Sequence, residues 1–342
     1  MSDPEATLSA NSRIAIIGAG SWGTALAIVL ASRFARIRLW AHEADLVERM
    51  FSTRENDVFL PGFLLPHNVE PTAELNYALE DAGIVVGVMP SRFARRVYQT
   101  MLPHLEPHIR IVSATKGLEK GTLLRMSEVA REVIGAKFEP SIAVLSGPTF
   151  AREVARGDPT ALVIASQDQE LAAIVQRKFS SPTFRLYVND DPVGVELGAA
   201  LKNIIAIAAG ICDGLGLGSN AVAALITRGL AEITRLAVAQ GGRPKTLSGL
   251  AGLGDLVLTC NGQLSRNRCV GLELAAGRKL ADIVNSTAMI AEGVETTAAA
   301  CELAHQCGVD MPITEQMDLI LRELTSPREA IRELMDRTLK TE

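Results

Sequence analysis

Apolar residues in the first half of the chain gather in short runs at 14–17, 36–40, 84–89, 109–114, 142–145, 161–165 and 184–188. Runs this short, rich in Ile and Val and without strict alternation, predict strands covered on both faces. Between several of them, at 21–32, 95–102, 123–134 and 169–179, the spacing turns helical. Strand alternating with helix predicts a doubly wound parallel sheet, which takes its ligand at the carboxyl ends of its strands. After Asp191-Pro192 the strand-like runs stop, and long Ala/Leu/Ile-rich segments follow at 193–215, 220–240, 265–276, 294–307, 313–324 and 328–339. Gly241-Gly242, Gly252 to Gly254, Gly277, Gly308 and Pro327 punctuate them as helix ends require. The expectation is an α/β domain over 12–190 and an all-helical domain over 191–342, without fixed-period repeats or low-complexity linkers.

One strand-turn-helix unit narrows the first domain. Residues 14–17 form an apolar run, Gly18-Ala19-Gly20-Ser21-Trp22-Gly23 follows, and an Ala/Leu-rich helix opens directly after it. In this G-x-G-x-x-G arrangement Gly18 permits a tight turn, Gly20 lets a ligand reach the backbone, and Gly23 lets the helix pack on the strand. Backbone N–H groups and the positive end of the helix then face whatever lies over the turn, which suits a pyrophosphate. The order of elements favours a dinucleotide-binding, Rossmann-type domain over an ordinary βα loop.

Composition removes several classes. A chain of 342 residues with 48% hydrophobic content can bury two cores. The net charge of −5 comes with no basic stripe, so no nucleic-acid partner is expected. Residues 1–12 are polar and lack the basic-then-apolar order of a signal peptide. The most apolar stretch, 193–211, contains Glu196, Lys202 and Asn203, which reads as a buried helix and not a membrane span. Five cysteines without a C-x-x-C or an even framework fit reduced thiols in a cytoplasm. The five histidines show no metal-ligand spacing, so no metal is expected.

Candidate chemistry concentrates at a few positions. Gly194, Gly198, Lys202, Ala206 and Gly210 advance by four and form one ridge of a helix, on which Lys202 is the sole functional group. Either the ridge packs tightly and Lys202 snorkels outward, or the lysine is desolvated and exchanges a proton near neutral pH, with Asn203 beside it to orient a hydroxyl or carbonyl. Lys116 follows a predicted strand at its carboxyl end, and Ser146-Gly147-Pro148-Thr149 ends the next strand likewise. Asp255 falls at the predicted start of a helix, where an N-cap is the competing role. Ser265-Arg266-Asn267-Arg268 joins a helix start to two cations, a combination suited to phosphate.

The blocks GAGSWGTALA, SATKGLEKGT, LSGPTFAREVARGDPTA, GVELGAALKNIIAIAAGICDGLGLGSNA, ALITRGLAEITRL, GLAGLGDLVLTCNGQLSRNR and AEGVETT occur in this order between Gly18 and Thr297, within a likeness that runs from about Arg13 to Arg337. Together they resemble the bacterial NAD(P)-dependent glycerol-3-phosphate dehydrogenases. The resemblance implies reduction of dihydroxyacetone phosphate to sn-glycerol 3-phosphate by NAD(P)H, feeding phospholipid synthesis. It also implies that Lys202 transfers the proton with Asn203 as neighbour, that Lys116 contacts substrate near the nicotinamide, and that Asp255 supports the lysine pair. Gly147, Thr149, Ser265, Arg266 and Asn267 would hold the glycerol phosphate. Ser21, Trp22, His42, Lys116, Ala151, Arg266, Ile290 and Glu292 would line the cofactor site, beside Gly18, Gly20 and Gly23.

Cofactor choice stays open between NAD and NADP. The second strand ends at Trp40 without the acidic residue that binds a ribose 2′-hydroxyl, although Glu43 lies three residues on, and His42, Arg38 or Arg49 could meet a 2′-phosphate. Two other functions compete. One is a two-domain dehydrogenase of hydroxyacids or sugar-acid phosphates. The other is a non-catalytic dinucleotide sensor, which would need the turn but not Lys116, Lys202, Asp255 and Arg266 together. An exposed apolar helical face would allow a homodimer.

Overall fold

The structure is a computed structural model that describes residues 13–286 and 291–338. The chain forms two compact units. Among the described residues, one takes 13–115 together with Met126–Pro192; the other takes Lys116–Arg125 and those from Val193 onward. The short segment 116–125 thus belongs with the helical unit, which the single boundary near residue 190 did not anticipate.

The first unit holds one eight-stranded sheet: β1 (Arg13–Ile17), β2 (Arg36–Trp40), β3 (Val69–Thr72), β4 (Ile84–Gly87), β5 (Arg110–Ser113), β6 (Ser141–Ser146), β7 (Thr160–Ala165) and β8 (Phe184–Asn189). Their order is β3-β2-β1-β4-β5-β6-β7-β8. Helices α1 (Ser21–Leu30), α2 (Ala44–Thr53), α3 (Leu75–Leu79), α4 (Ala94–Met101), α5 (Met126–Gly135), α6 (Ala151–Arg156) and α7 (Gln169–Phe179) complete it. Ile14, Ile16, Ile37, Leu39, Val86 and Val112 are buried in its core, where Phe34 meets Phe179 edge-on at 5.8 Å. The strand order reverses between β1 and β4, the position at which such sheets bind ligands.

Two features depart from expectation. Strand β3, Val-Glu-Pro-Thr, carries a charge and a proline that hide it from an apolar pattern, and as an edge strand it tolerates the proline. Strand β7 runs antiparallel to β6, while every other pair in the sheet is parallel. The cause lies in α6: six residues of helix advance only about 9 Å. A six-residue strand such as β6 spans roughly 20 Å. The chain therefore re-enters the sheet at the end it left.

The second unit comprises α8 (Pro192–Gly214), α9 (Gly218–Ala239), α10 (Pro244–Leu247), α11 (Asp255–Asn261), α12 (Arg266–Ala275), α13 (Leu280–Asn285), α14 (Glu292–Gln306), α15 (Pro312–Leu321) and α16 (Pro327–Met335). Helix α8 is long and apolar enough to cross a membrane, yet it is buried within this unit. Its glycine ridge admits other backbones. A Cβ at Gly198 would lie 2.7 Å from the Ala251 carbonyl oxygen, and one at Gly210 would lie 2.0 Å from that of Arg268. Residues Leu250–Gly254, of which Gly252 to Gly254 are expected from the sequence to mark a helix end, wind instead into a π-helical turn that runs directly into α11. Such turns widen the backbone locally and occur often at functional sites.

Candidate active site

In the first unit the glycine turn leaves β1 where β4 ends beside it. Gly18 has φ +121°, and a Cβ there would sit 2.7 Å from the Val88 carbonyl oxygen; one at Gly23 would sit 1.9 Å from that of Gly18. These two glycines are therefore demanded by the fold itself. Gly20 differs, because a Cβ there would meet nothing within 4 Å. Helix α1 begins at this turn with no side-chain cap and no acidic residue in its first turn. An uncapped helix of ten residues beneath open space fits an anionic ligand, so the chain's own geometry suits a dinucleotide pyrophosphate. Among the described residues the buried indole N–H of Trp22 has no hydrogen-bond partner, and Ser21 donates to the Phe59 carbonyl.

Asn56, absent from the sequence reading, holds this turn. Its buried carboxamide donates to the Ala19 carbonyl and to the Thr24 hydroxyl, both at 2.8 Å, and accepts from the Phe59 N–H at 3.0 Å. His42 is exposed just past β2. Of the two arginines considered for a 2′-phosphate, Arg38 is not available. It is 4% exposed, donates to the backbone of Tyr77 and Glu80 and to the Glu80 carboxylate, and stacks on the Tyr77 ring. Arg49 is already paired with Asp57. Ala151 opens α6, which packs on α1. Gly147, at φ +149°, would place a Cβ 2.8 Å from Leu162, and the Thr149 hydroxyl turns back to the Gly147 carbonyl at 3.2 Å.

The second unit brings the predicted catalytic residues together. The Asp255 carboxylate is fully buried, accepting from Lys202 Nζ at Oδ1 and from Lys116 Nζ at Oδ2, the latter at 3.0 Å. It is no N-cap; its charge goes to the lysines. Nor does Lys202 snorkel, since its side chain is 6% exposed and also donates to the Thr259 hydroxyl at 2.9 Å. Burial, with the charge of Lys116 assisting and Asp255 opposing, brings its pKa down to about 7. Thr259 was missed in the sequence, although it stands four residues after Asp255 and hence on the same helix face. It donates in turn to the Asp255 backbone carbonyl at 2.6 Å.

Around this cluster the remaining predicted residues fall at helix starts. Ser265 caps α12, its oxygen accepting from the Arg268 N–H at 3.2 Å, and Arg266 is exposed beside it with Glu292 near its guanidinium. Buried Asn267 accepts the Gly293 N–H at 3.0 Å, and a Cβ on Gly293 would lie 2.8 Å from the Asn203 carbonyl oxygen. Ile290 lies outside the described residues. Among the described residues no group of His, Cys, Asp or Glu is arranged to hold a metal ion. Burial raises the Cys260 and Cys301 thiols to about 12, which leaves them unreactive.

Comparison with known proteins gives concordant matches. The family model of the NAD-dependent glycerol-3-phosphate dehydrogenase N-terminus matches residues 13–172, and that of the C-terminus matches 191–332. The chain is 60% identical to the glycerol-3-phosphate dehydrogenase [NAD(P)+] of Koribacter versatilis over 97% of this chain and 99% of that protein. It is 54% identical to the protein of that name from Syntrophotalea carbinolica, over 96% and 99%. Among solved structures, it is similar to glycerol-3-phosphate dehydrogenase from Coxiella burnetii, with TM-score 0.92 and 42% identity, covering 96% of this chain and 100% of that one.

Proposed function

The chain belongs to the NAD-dependent glycerol-3-phosphate dehydrogenase family, and on that premise we propose that Lys202, Asp255 and Lys116 form its proton-transfer centre. The reaction is the reversible reduction of dihydroxyacetone phosphate to sn-glycerol 3-phosphate with NADH or NADPH. The product supplies glycerophospholipid synthesis. This family membership leaves the hydroxyacid dehydrogenase and the dinucleotide sensor without support.

A dinucleotide held over the Gly18–Gly23 turn would supply, from its dihydronicotinamide, the hydride for C2 of the ketone. The carbonyl oxygen becomes an alkoxide, and the chain must stabilise that charge and deliver one proton to it. Lys202 is the donor, because a buried ammonium with a pKa of about 7 releases its proton far more readily than an exposed one. Lys116 contributes a second positive charge, held by the same carboxylate. Asp255 keeps Lys202 from losing its proton altogether, and Thr259 fixes its ammonium. In the oxidation of glycerol 3-phosphate, neutral Lys202 takes the hydroxyl proton while Asn203 orients the hydroxyl.

Arg266 meets the phosphate as a charge-assisted fork. Ser265 retains a hydroxyl proton to donate while its oxygen caps α12, and Asn267, whose oxygen is taken by Gly293, offers its NH2. Gly147 and Thr149 are assigned to the substrate as well. Gly18, Gly20, Ser21, Trp22 and Gly23 take the dinucleotide, with His42, Ala151, Ile290 and Glu292 beside it. A cytoplasmic location and association as a homodimer complete the proposal.

The observation that carries this reading is the single buried carboxylate shared by two ammonium groups. Its test is the absorbance of NADH and of NADPH during incubation with dihydroxyacetone phosphate. Oxidation of either cofactor that is lost on Lys202→Ala supports the assignment, and full activity of that variant refutes it.

A further inference from the structure

Among the described residues, a second buried ion pair lies close to the first, and the reaction does not use it. Arg125 Nη1 donates to Glu196 Oε2 at 2.7 Å, with side-chain exposures of 13% and 4%. Arg125 ends the segment that Lys116 begins, and Glu196 stands on α8 six residues before Lys202, about 9 Å along the helix. We propose that the Arg125–Glu196 pair is a positioning device, mooring the segment 116–125 to α8 and so placing Lys116 on Asp255. The proposal rests on the reading above, in which Lys116 and Lys202 act on the substrate.

The segment behaves as one piece. An antiparallel bridge joins Leu118 to Arg125, the Glu119 N–H donates to the Leu124 carbonyl at 2.9 Å, and the Leu123 N–H donates to the Glu119 carbonyl at 2.9 Å. Leu118 and Leu123 are buried in the core of the helical unit. Leu123 pays for this closure with φ +62°, a left-handed conformation that a branched residue adopts only under constraint. Two apolar anchors restrain the segment's depth, but apolar contact is non-directional and leaves it able to slide or rotate. A charge-assisted hydrogen bond from Arg125 Nη1 to a buried carboxylate oxygen is directional, and it supplies the missing coordinate.

Stability alone gives no reason for the pair. A buried ion pair replaced whole by apolar groups of similar volume is often neutral or stabilising. What such a replacement forfeits is register. With the pair in place, both lysines are referred to the same helix: Lys202 because it grows from α8, Lys116 because its segment is tied to α8 through Glu196. The titratable groups that face Lys202 are Asp255 and Cys260 from α11 and Lys116 from the segment. Of these, only the position of Lys116 depends on the pair.

The test uses the full-length enzyme and four variants: Arg125→Met with Glu196→Leu as a double replacement, Arg125→Met alone, Arg125→Lys, and Lys116→Met as reference. The readouts are kcat, KM for dihydroxyacetone phosphate, NADPH affinity, and the pH at which the reduction rate declines. The double variant, which leaves no buried charge unpaired, keeps the test open if Arg125→Met fails to fold. The proposal expects kcat to fall by up to about 10²-fold, more than KM changes, with NADPH affinity unaltered. It also expects the declining limb to move to higher pH, as in Lys116→Met, because Lys116 no longer lowers the Lys202 pKa. Arg125→Lys should recover part of both. A folded double variant with wild-type kcat and limb overturns the proposal, as does a loss of kcat with the limb unmoved. Wild-type behaviour of Lys116→Met itself would instead overturn the reading of the site, and the proposal with it.

Discussion

Lys116 and Lys202 donate to opposite oxygens of the same carboxylate, Oδ2 and Oδ1 of Asp255, from positions 139 and 53 residues away in sequence. Two ammonium groups on one buried carboxylate leave an uncompensated positive charge. Burial of Lys202, with the charge of Lys116 assisting, lets it give up its proton near pH 7, and it can return that proton when an oxyanion forms.

The pH dependence follows with a definite sign. Reduction of dihydroxyacetone phosphate needs Lys202 protonated, so kcat falls as pH rises through about 7, while oxidation of glycerol 3-phosphate rises over the same range. Asp255→Asn removes the charge that holds this pKa up, so the limb should move below that of the wild type. Steady-state profiles in both directions check it, and a limb moving upward in Asp255→Asn contradicts the assignment.

Gly20 and Gly23 should respond oppositely to a side chain. Gly20→Val has open space and should fold normally, losing affinity for NADH and NADPH together because its methyls occupy the anion's place. Gly23→Ala would place its Cβ 1.9 Å from the Gly18 carbonyl and should lower the melting temperature. Cofactor titration and thermal melts separate the two, and unchanged cofactor affinity in folded Gly20→Val would make the turn purely structural.

Arg266→Leu should act through the substrate phosphate. Loss of a charge-assisted contact costs roughly 1.5–3 kcal/mol, about one to two decades in kcat/KM. Dihydroxyacetone, lacking the phosphate, should be a poor substrate of the wild type and little affected by the substitution. An equal loss with both substrates would move Arg266 to the cofactor or the fold.

Glu232 links stability to pH. It caps α15 from α9, accepting the Ile313 and Thr314 N–H groups at 2.7 and 3.2 Å, yet burial outweighs these bonds and raises its pKa from 4.5 to about 7. The folded state therefore holds a proton that the unfolded chain releases between these values, and stability from this group is lost as pH rises through about 7. Relative to Glu232→Gln, the wild type should lose up to about 1.4 kcal/mol per pH unit within that window. Denaturant unfolding at pH 5, 6 and 7, chosen as roughly spanning the window, measures the difference; a pH-independent difference contradicts the raised pKa.

What could be read from the sequence was local. Ile14 to Leu30 disclosed strand, turn and helix because each residue type has a local reason, and the helical half was visible through its periodicity. Strand β3 escaped because Glu70 and Pro71 break its apolar pattern, and the direction of β7 escaped because it follows from the length of α6. At the site, blocks around Lys116, Lys202 and Asp255 identified the residues through resemblance. Their joining is tertiary, and so is the fate of Arg38, whose charge is consumed by Tyr77 and Glu80 across the fold. Thr259 was within reach, four residues after Asp255, while the membership of 116–125 in the helical unit had no local signal.

The most direct test of the account is the rate of hydride transfer in Lys202→Met, measured at saturating dihydroxyacetone phosphate and NADPH alongside the affinity for NADPH alone. The glycine turn at 18–23 belongs to the other compact unit, so dinucleotide affinity should equal that of the wild type. The rate should fall on the order of 10²–10⁴-fold, the usual worth of a positioned proton donor. A loss of only a few-fold, with cofactor still bound, would remove Lys202 from proton transfer.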